Sequence, residues 1–517
     1  MFKSVGKISA YFITLLTTVN LWFLSSASAD PALEKYFTAN AAYNRKLYSV
    51  ATTQFENFLK LHASHPKADL AKQGLALSHY ALKNYDNSIP YLSTLISKKN
   101  LDKAINRERL IILQGQCLLQ TSQKNKAKEL FIGEFKSLTN STYKNSANAL
   151  IIDISFGNSD WDDVIKWASI IKGSKPSTDQ LTRALYQMGF AYYQKDQIPE
   201  AIKALNSSEE NSISKKWETR TAYLLGECFS KNQQLEEAEK KFTIALKGML
   251  ADEAKECHYR LGVTRFSLEK FDQSLSNFKS FLGTGENQNA NINDPKIRQA
   301  TLYMGRIHYE LKQYPKAEAE FQKLITGDDK LAAQSNLWLA RVFSTGKQDY
   351  INASQILGRA LTKYNNSELV DNIEFEYANS LMLKSPPEWQ KAVAALSNIE
   401  NRGKNPQRPQ FPQAAEVLSQ KVVCLHNLKD YQTSLTYSDQ LVSQFPNHKS
   451  KVDTLFIRAE NLLQLKKYKD ALNAFNNFLK NAPEHDKSNL ANLRMAQLHH
   501  INKDWDNALI KAEPLLS

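Results

Sequence analysis

Histidines, cysteines and paired acids are the side chains in this sequence that could do chemistry, and their spacing argues against most of it. His499 and His500 are neighbours, so on a helix they point to different sides and cannot close on one metal as an i, i+4 pair does. His62 and His65 stand near a helix end before Pro66, where a histidine is expected to be solvated. Glu209-Glu210 and Glu236-Glu237 fall where a charged helix face is expected, which is no place for a general acid and its base. The four cysteines, Cys117, Cys228, Cys257 and Cys424, form no CxxC pair. Each falls in the first helix of a helical pair, where cysteine is a small buried hydrophobe; a disulfide or a metal site is the alternative. The sequence contains no glycine-rich phosphate loop, HExxH zinc pair or GxSxG nucleophile elbow. The expectation is a protein that is not an enzyme, with no catalytic residue, metal or cofactor.

The elements that would position any site are written as a repeat. Between Arg183 and Phe281 a small residue, Gly189, Gly226 or Gly262, occupies one fixed slot, with Tyr192, Phe229 or Arg265 three residues later. Ile198, Leu235 or Phe271 follows nine residues after the glycine, Ala201, Ala238 or Ser274 twelve after it, and Leu205, Phe242 or Phe278 sixteen after it. Glycine inside a helix costs about 1 kcal/mol against alanine, so its recurrence demands a packing reason. A second helix must approach closely there, with the bulky slot filling the seam. One such hairpin cannot bury its own apolar face, so hairpins must stack.

This pattern resembles the tetratricopeptide repeat family, whose signature is Leu-Gly, an aromatic, Ala-x-x-x-Phe and often a proline. Met188-Gly189, Leu225-Gly226, Leu261-Gly262 and Met304-Gly305 match it, as does Ala471-x-x-x-Phe475 with Pro483 behind. Aligned on the small slot, units centre on Ala39, Ser78, Gly115, Ile152, Gly189, Gly226, Gly262, Gly305, Ala340, Ala378, Val422, Ala459 and Ala496. The resemblance implies an all-α, right-handed superhelical solenoid of antiparallel helix pairs with about 12–13 units, continuous over residues 30–517. Many steps are 37 residues, against ~34 in the family, which predicts longer second helices or longer turns between hairpins.

Composition agrees with a folded chain of 517 residues, 42% hydrophobic and 23% charged. Glycine (17) and proline (15) are scarce, which suits helices joined by few turns. Residues 1–29 read as a secretory signal: Lys3 and Lys7, an apolar run from Ile8 to Leu24, then Ala27-x-Ala29 as a cleavage site. The alternative is an uncleaved anchor. Export to the periplasm or cell envelope is the expectation. Two insertions, 283–296 and 401–414, read as surface loops; the second, with three prolines and three basic residues, is the better contact site.

In the resembled family the first helix of each pair lines a concave groove. The implied groove positions lie at −6, −3, +1 and +4 from the small slot. They are Arg183, Tyr186, Phe190 and Tyr193; then Arg220, Tyr223, Glu227 and Ser230; then Glu256, Tyr259, Val263 and Phe266. The Gly305 unit adds Gln299, Leu302, Arg306 and Tyr309, and the next adds Arg341. Tyrosine at −3 in three successive units, beside arginines, has the composition of an interface hot spot; packing between hairpins is the alternative. The implied function is a scaffold that binds an extended peptide or partner protein. The alternative is an accessory of envelope polysaccharide export or cell-wall assembly that binds an anionic glycan. The net charge of +13 would steer an acidic protein segment, an anionic envelope polymer or a membrane surface. Nucleic acid is not expected, because lysines are spread through every unit and export removes the chain from it.

Overall fold

The computed structural model describes residues 30–283 and 293–515. The signal-like segment and most of the 283–296 insertion lie outside these residues. Among the described residues there is no strand, and no helix is long and apolar enough to cross a membrane. The chain divides between Leu250 and Ala251 into two compact units.

The first unit stacks six hairpins: α1 (Pro31–Asn44) with α2 (Tyr48–Leu61), α3 (Ala68–Ala81) with α4 (Tyr85–Ile96), α5 (Arg107–Gln120) with α6 (Lys124–Glu134), α7 (Ser141–Gly157) with α8 (Trp161–Lys172), α9 (Thr178–Gln194) with α10 (Ile198–Glu210), and α11 (Lys215–Lys231) with α12 (Leu235–Gly248). The second stacks seven: α13 (Ala251–Ser267) with α14 (Phe271–Leu282), α15 (Pro295–Glu310) with α16 (Tyr314–Gln322), α17 (Lys330–Arg341) with α18 (Tyr350–Lys363), α19 (Val370–Leu383) with α20 (Trp389–Gly403), α21 (Ala414–Asn427) with α22 (Tyr431–Gln444), α23 (Lys451–Gln464) with α24 (Tyr468–Asn481), and α25 (Ser488–Ile501) with α26 (Trp505–Ala512). In the middle units the longer step goes into 17-residue first helices, as in α9, α11 and α13. The expected lengthening of second helices does not occur.

The small slot has the packing reason its spacing demanded. A Cβ on Gly226 would stand 2.6 Å from Cδ1 and Cε1 of Phe242, and one on Gly115 would stand 1.9 Å from Cζ of Phe131. Gly262, Gly305 and Gly189 face Phe278, Phe321 and Leu205 in the same way, always sixteen residues on. These four phenylalanines and the leucine are fully buried, so each glycine is the floor of a ring pocket. At +12 the second helix comes close enough to hydrogen-bond, as Ser274 Oγ donates to the Gly262 carbonyl at 2.7 Å. Ser434 does the same to Val422 at 2.9 Å, and Ser88 to Ala76 at 2.9 Å. That last bond moves the second unit's slot: it is Ala76, not Ser78. Ser78 instead turns its hydroxyl back onto the Gly74 carbonyl of its own helix.

Scarce glycine does not mean few tight turns. Twelve of the hairpins turn through a left-handed residue with φ between 55° and 63°, seven or eight residues after the small slot, and all of these carry side chains: Lys46, Lys83, Ser122, Ser159, Asp196, Gln233, Glu269, Lys312, Gln348, Lys429, Lys466 and Lys503. The next amide closes back onto the first helix, as Gln197 N donates to the Tyr192 carbonyl at 2.9 Å, the usual six-to-one C-terminal cap. After α17 a π turn over Val342–Gly346 absorbs one extra residue, so Gln348 follows its slot by eight. After α19 the turn runs through cis Ser385–Pro386 instead.

Histidines close the open ends of three hairpins. His65 Nε2 lies 2.8 Å from Asp30, His448 Nε2 3.2 Å from Glu416 and His485 Nε2 3.6 Å from Asp453, each acid at the start of the same hairpin. Each Nδ1 accepts a backbone amide two residues on. His65 and His62 are therefore not the solvated residues expected: both rings pack on Phe58 at 5.6 Å, and His62 Nε2 is sealed from solvent. All four cysteines are buried, and burial pushes the Cys228 and Cys424 thiols up to about 12.

Candidate functional site

First helices are capped so that their inner faces are fixed: Ser177 and Gln180 form a reciprocal capping box on α9, and Asp294 and Asp329 cap α15 and α17. On these faces the expected groove residues meet one another through rings and ion pairs.

In the first unit Arg183 is exposed and its Nη2 lies 2.6 Å from Asp153 Oδ1 on α7. Burial raises the Asp153 carboxyl above its usual range, against the pull of Gln187 and Arg183. Tyr186 packs on Trp217 at 5.4 Å, and the exposed Arg220 guanidinium covers the same indole at 5.7 Å. Burial pushes the Tyr186 hydroxyl up as well. Phe190 sits between Phe156 at 5.1 Å and Trp161 at 5.7 Å. Tyr193 Oη donates to Glu227 at 3.5 Å beneath the Lys231 ammonium, 4.9 Å from its ring.

In the second unit Phe266 packs on Phe271 and Tyr303. The Arg306 guanidinium lies 4.6 Å from the Phe266 ring, 5.1 Å from Trp338 and 5.9 Å from Tyr303. Trp338 also carries Arg341 at 4.7 Å and Tyr309 at 5.3 Å. Arg341 Nε donates to Glu376 at 2.9 Å.

The −3 residues also reach into their own hairpins. Tyr223 lies 5.7 Å from Phe242 and Tyr259 lies 6.1 Å from Phe278, so each closes over the ring that fills its own hairpin seam. Leu302, at the same position, is buried. The spacing put the tyrosines on the first helix's face and the phenylalanines in the seam, but it did not bring the two together. The +1 and +4 residues Phe190, Tyr193, Glu227, Phe266, Arg306 and Tyr309 are half-buried, as is Arg341; Tyr193, Phe266, Arg306, Tyr309 and Arg341 touch the next first helix, whereas Phe190 and Glu227 touch the preceding one. The residues missed are Tyr303, Trp338 and Glu376. All three stand at −2, one helical turn before +1 and so on the same face; that offset was the available signal.

The 401–414 insertion is less open than expected. Its two arginines turn inward: Arg402 pairs with Asp371 at 2.6 Å and with Glu374, and Arg408 lies 3.7 Å from Asp371. Phe411 is buried against Phe375 at 5.7 Å. Lys404 stays exposed. Among the described residues no group of three or more metal-ligating side chains converges.

Family models agree with this architecture. One tetratricopeptide repeat family model matches residues 38–102 and 259–343, and a second matches 183–209 and 453–485. No curated protein sequence matches the chain. Similar solved structures include a tetratricopeptide repeat protein from Parabacteroides merdae, at 14% identity and TM-score 0.37, covering 54% of this chain and 98% of that one. Yeast Tom70 is similar at 12% identity and TM-score 0.33, over 89% of this chain and 100% of its own.

Proposed function

From the premise that the chain is a tetratricopeptide repeat protein, we propose that it is a scaffold that binds an extended peptide or partner protein along its first helices. The observation that carries this reading is the composition of those helices. Arg183 and Arg220 are exposed beside Tyr186 and Trp217, and tyrosine, tryptophan and arginine are the side chains that dominate protein interfaces. Second helices spend their bulky residues in the seams and present lysines such as Lys203 and Lys240 to solvent. The apolar Met1–Ala29 segment supports export, which places the partner in the periplasm or cell envelope.

The test is site-specific photocrosslinking in intact cells, with the reactive group at Arg183, Arg220 or Arg341, and at Lys203 or Lys240 as second-helix controls. The reading expects one partner protein to crosslink from first-helix positions and not from the controls. Crosslinks confined to the controls would refute the groove. A fractionation that finds the full chain in the cytosol would refute export.

A further inference from the structure

The 401–414 insertion helps to build a cleft apart from the first-helix groove. The cleft has a volume of about 310 Å³ and lies among the end of α20, the insertion, the start of α21 and the last turns of α22. In α21 the −6, −3, +1 and +4 positions are Glu416, Ser419, Val423 and His426, and none of them lines it. The floor is apolar: Ile399, Phe411, Val417 and Leu418 are buried there. Among the described residues Glu400 is the only acid in the lining. Its Oε2 accepts from Lys421 Nζ at 2.6 Å and from Tyr437 Oη at 3.4 Å. Its Oε1 takes no bond from the described residues, and the side chain stays 24% exposed, so that oxygen is open to a ligand.

Size and charge narrow what fits. An apolar cavity of about 150 Å³ holds one benzene ring, so about twice that volume suits two fused rings. Phe411 and Phe445 stand in the lining and give an aromatic guest rings to meet offset or edge-on. Lys421 already neutralises Glu400, and Lys404 is the cation that the lining adds. A second cation would be repelled by Lys404, and an anion would be repelled by the open Glu400 oxygen. That oxygen lacks a neutral donor. Indole brings one N–H and no acceptor, on a two-ring apolar body.

We propose that this cleft receives the indole of a tryptophan in an exposed segment of a partner protein, with the indole N–H donating to Glu400 Oε1. The side chains of Gln410, Gln440 and Gln444 also line the cleft, exposed or half-buried, and make no hydrogen bond among the described residues. Each amide offers one acceptor and two donors, which matches the groups of a peptide backbone and favours tryptophan within a chain over free indole.

The experiment uses the full chain and follows N-acetyl-5-fluorotryptophanamide by fluorine NMR, which the protein's own tryptophans do not obscure. Two controls accompany it: the 1-methylindole analogue, which keeps the rings and loses the donor, and 5-fluoroindole, which loses the peptide groups. The wild type should bind the first probe about tenfold more tightly than either control, one tenfold step being about 1.4 kcal/mol. Ala414→Leu, which puts a larger side chain into the lining, should abolish binding of all three. Glu400→Gln should bring the probe and its 1-methyl analogue level, because an amide whose oxygen stays on Lys421 turns N–H groups toward the indole. Circular dichroism and melting establish that both variants fold. Ala414→Leu leaves the Glu400–Lys421 pair intact, so it decides the site even where Glu400→Gln unfolds.

Equal binding of the probe and its 1-methyl analogue by the wild type overturns the proposal. So does binding that survives Ala414→Leu, or failure of every probe to bind. Free 5-fluoroindole binding as tightly as the amide assigns the cleft to a small aromatic molecule and also overturns it. The cleft shares no residue with the first-helix groove, so these results leave the crosslinking test of the scaffold reading untouched.

Discussion

Adding one methyl group at Gly226 should destabilise the fold locally, although alanine is the better helix former. The gain from helix propensity is about 1 kcal/mol, and burying one methyl adds about 0.8 kcal/mol. Against this, the new Cβ would stand 2.6 Å from two Phe242 ring atoms, where carbon atoms attract best at about 3.5–4.0 Å. Phe242 is fully buried and backed by Tyr223 at 5.7 Å, so the ring cannot swing aside without moving its neighbours. Forced overpacking of that kind costs about 1–3 kcal/mol, and more when backbone shifts. A shift of about 1 Å sits at the upper end, leaving a net loss near 1 kcal/mol for Gly226→Ala. Gly133→Ala is the internal control, because nothing lies within 4 Å of its Cβ and the propensity gain is unopposed. Native-state hydrogen exchange reads both, since it reports local opening free energies helix by helix. Amides of α11 and α12 should exchange faster in Gly226→Ala, and those of α6 should exchange more slowly in Gly133→Ala. Pairing Gly226→Ala with Phe242→Leu should show a favourable coupling of about 1 kcal/mol. Slower exchange in α11 and α12 of Gly226→Ala, or no coupling with Phe242, would refute the claim that the glycine is there to admit the ring.

Three further outcomes follow from the turns, the buried histidine and the buried lysine. Gln233 is exposed and left-handed at φ 59°, so Gln233→Gly should stabilise α11–α12 by up to about 1 kcal/mol, read as slower exchange there. His308 is 5% exposed and burial lowers its pKa, against its contact with Gln313. The unfolded chain therefore takes up a proton below about pH 6.5 that the folded chain refuses. Stability should fall as pH drops from about 7.5 to 5.5, and His308→Gln should flatten the urea-midpoint profile in that window. Lys421 is 1% exposed, its ammonium 2.6 Å from Glu400 and 3.8 Å from the Tyr437 ring. Lys421→Met should cost up to about 3 kcal/mol by leaving Glu400 without its cation, held only by the Tyr437 hydroxyl at 3.4 Å, and the double variant with Glu400→Leu should recover most of it in a urea melt.

The hairpins were legible because their seams are local. The glycine slot and the ring sixteen residues on are parts of one hairpin, so a fixed spacing encodes their contact. Turn chemistry was legible in place but not in kind: the sequence has lysine, glutamine and serine where a left-handed cap usually takes glycine. Ser78 was misplaced for a related reason. A small residue two positions from Ala76 fits the same periodicity, and what separates them is the carbonyl that Ser88 reaches.

The inner face was legible only in outline, because it is made between hairpins. Trp338 organises Arg306, Tyr309 and Arg341, yet its place at −2 gains meaning only when α17 is laid beside α15. The same register decides which arginines find acids. Arg341 reaches Glu376, 35 residues on, at 2.9 Å; Arg306 looks the same length along the chain toward the next first helix and meets Trp338 and Arg341 instead. Repetition therefore makes the exception informative. Arg298 and Arg341 find acids and Arg306 finds rings, a difference set by the register between hairpins and not by spacing within one.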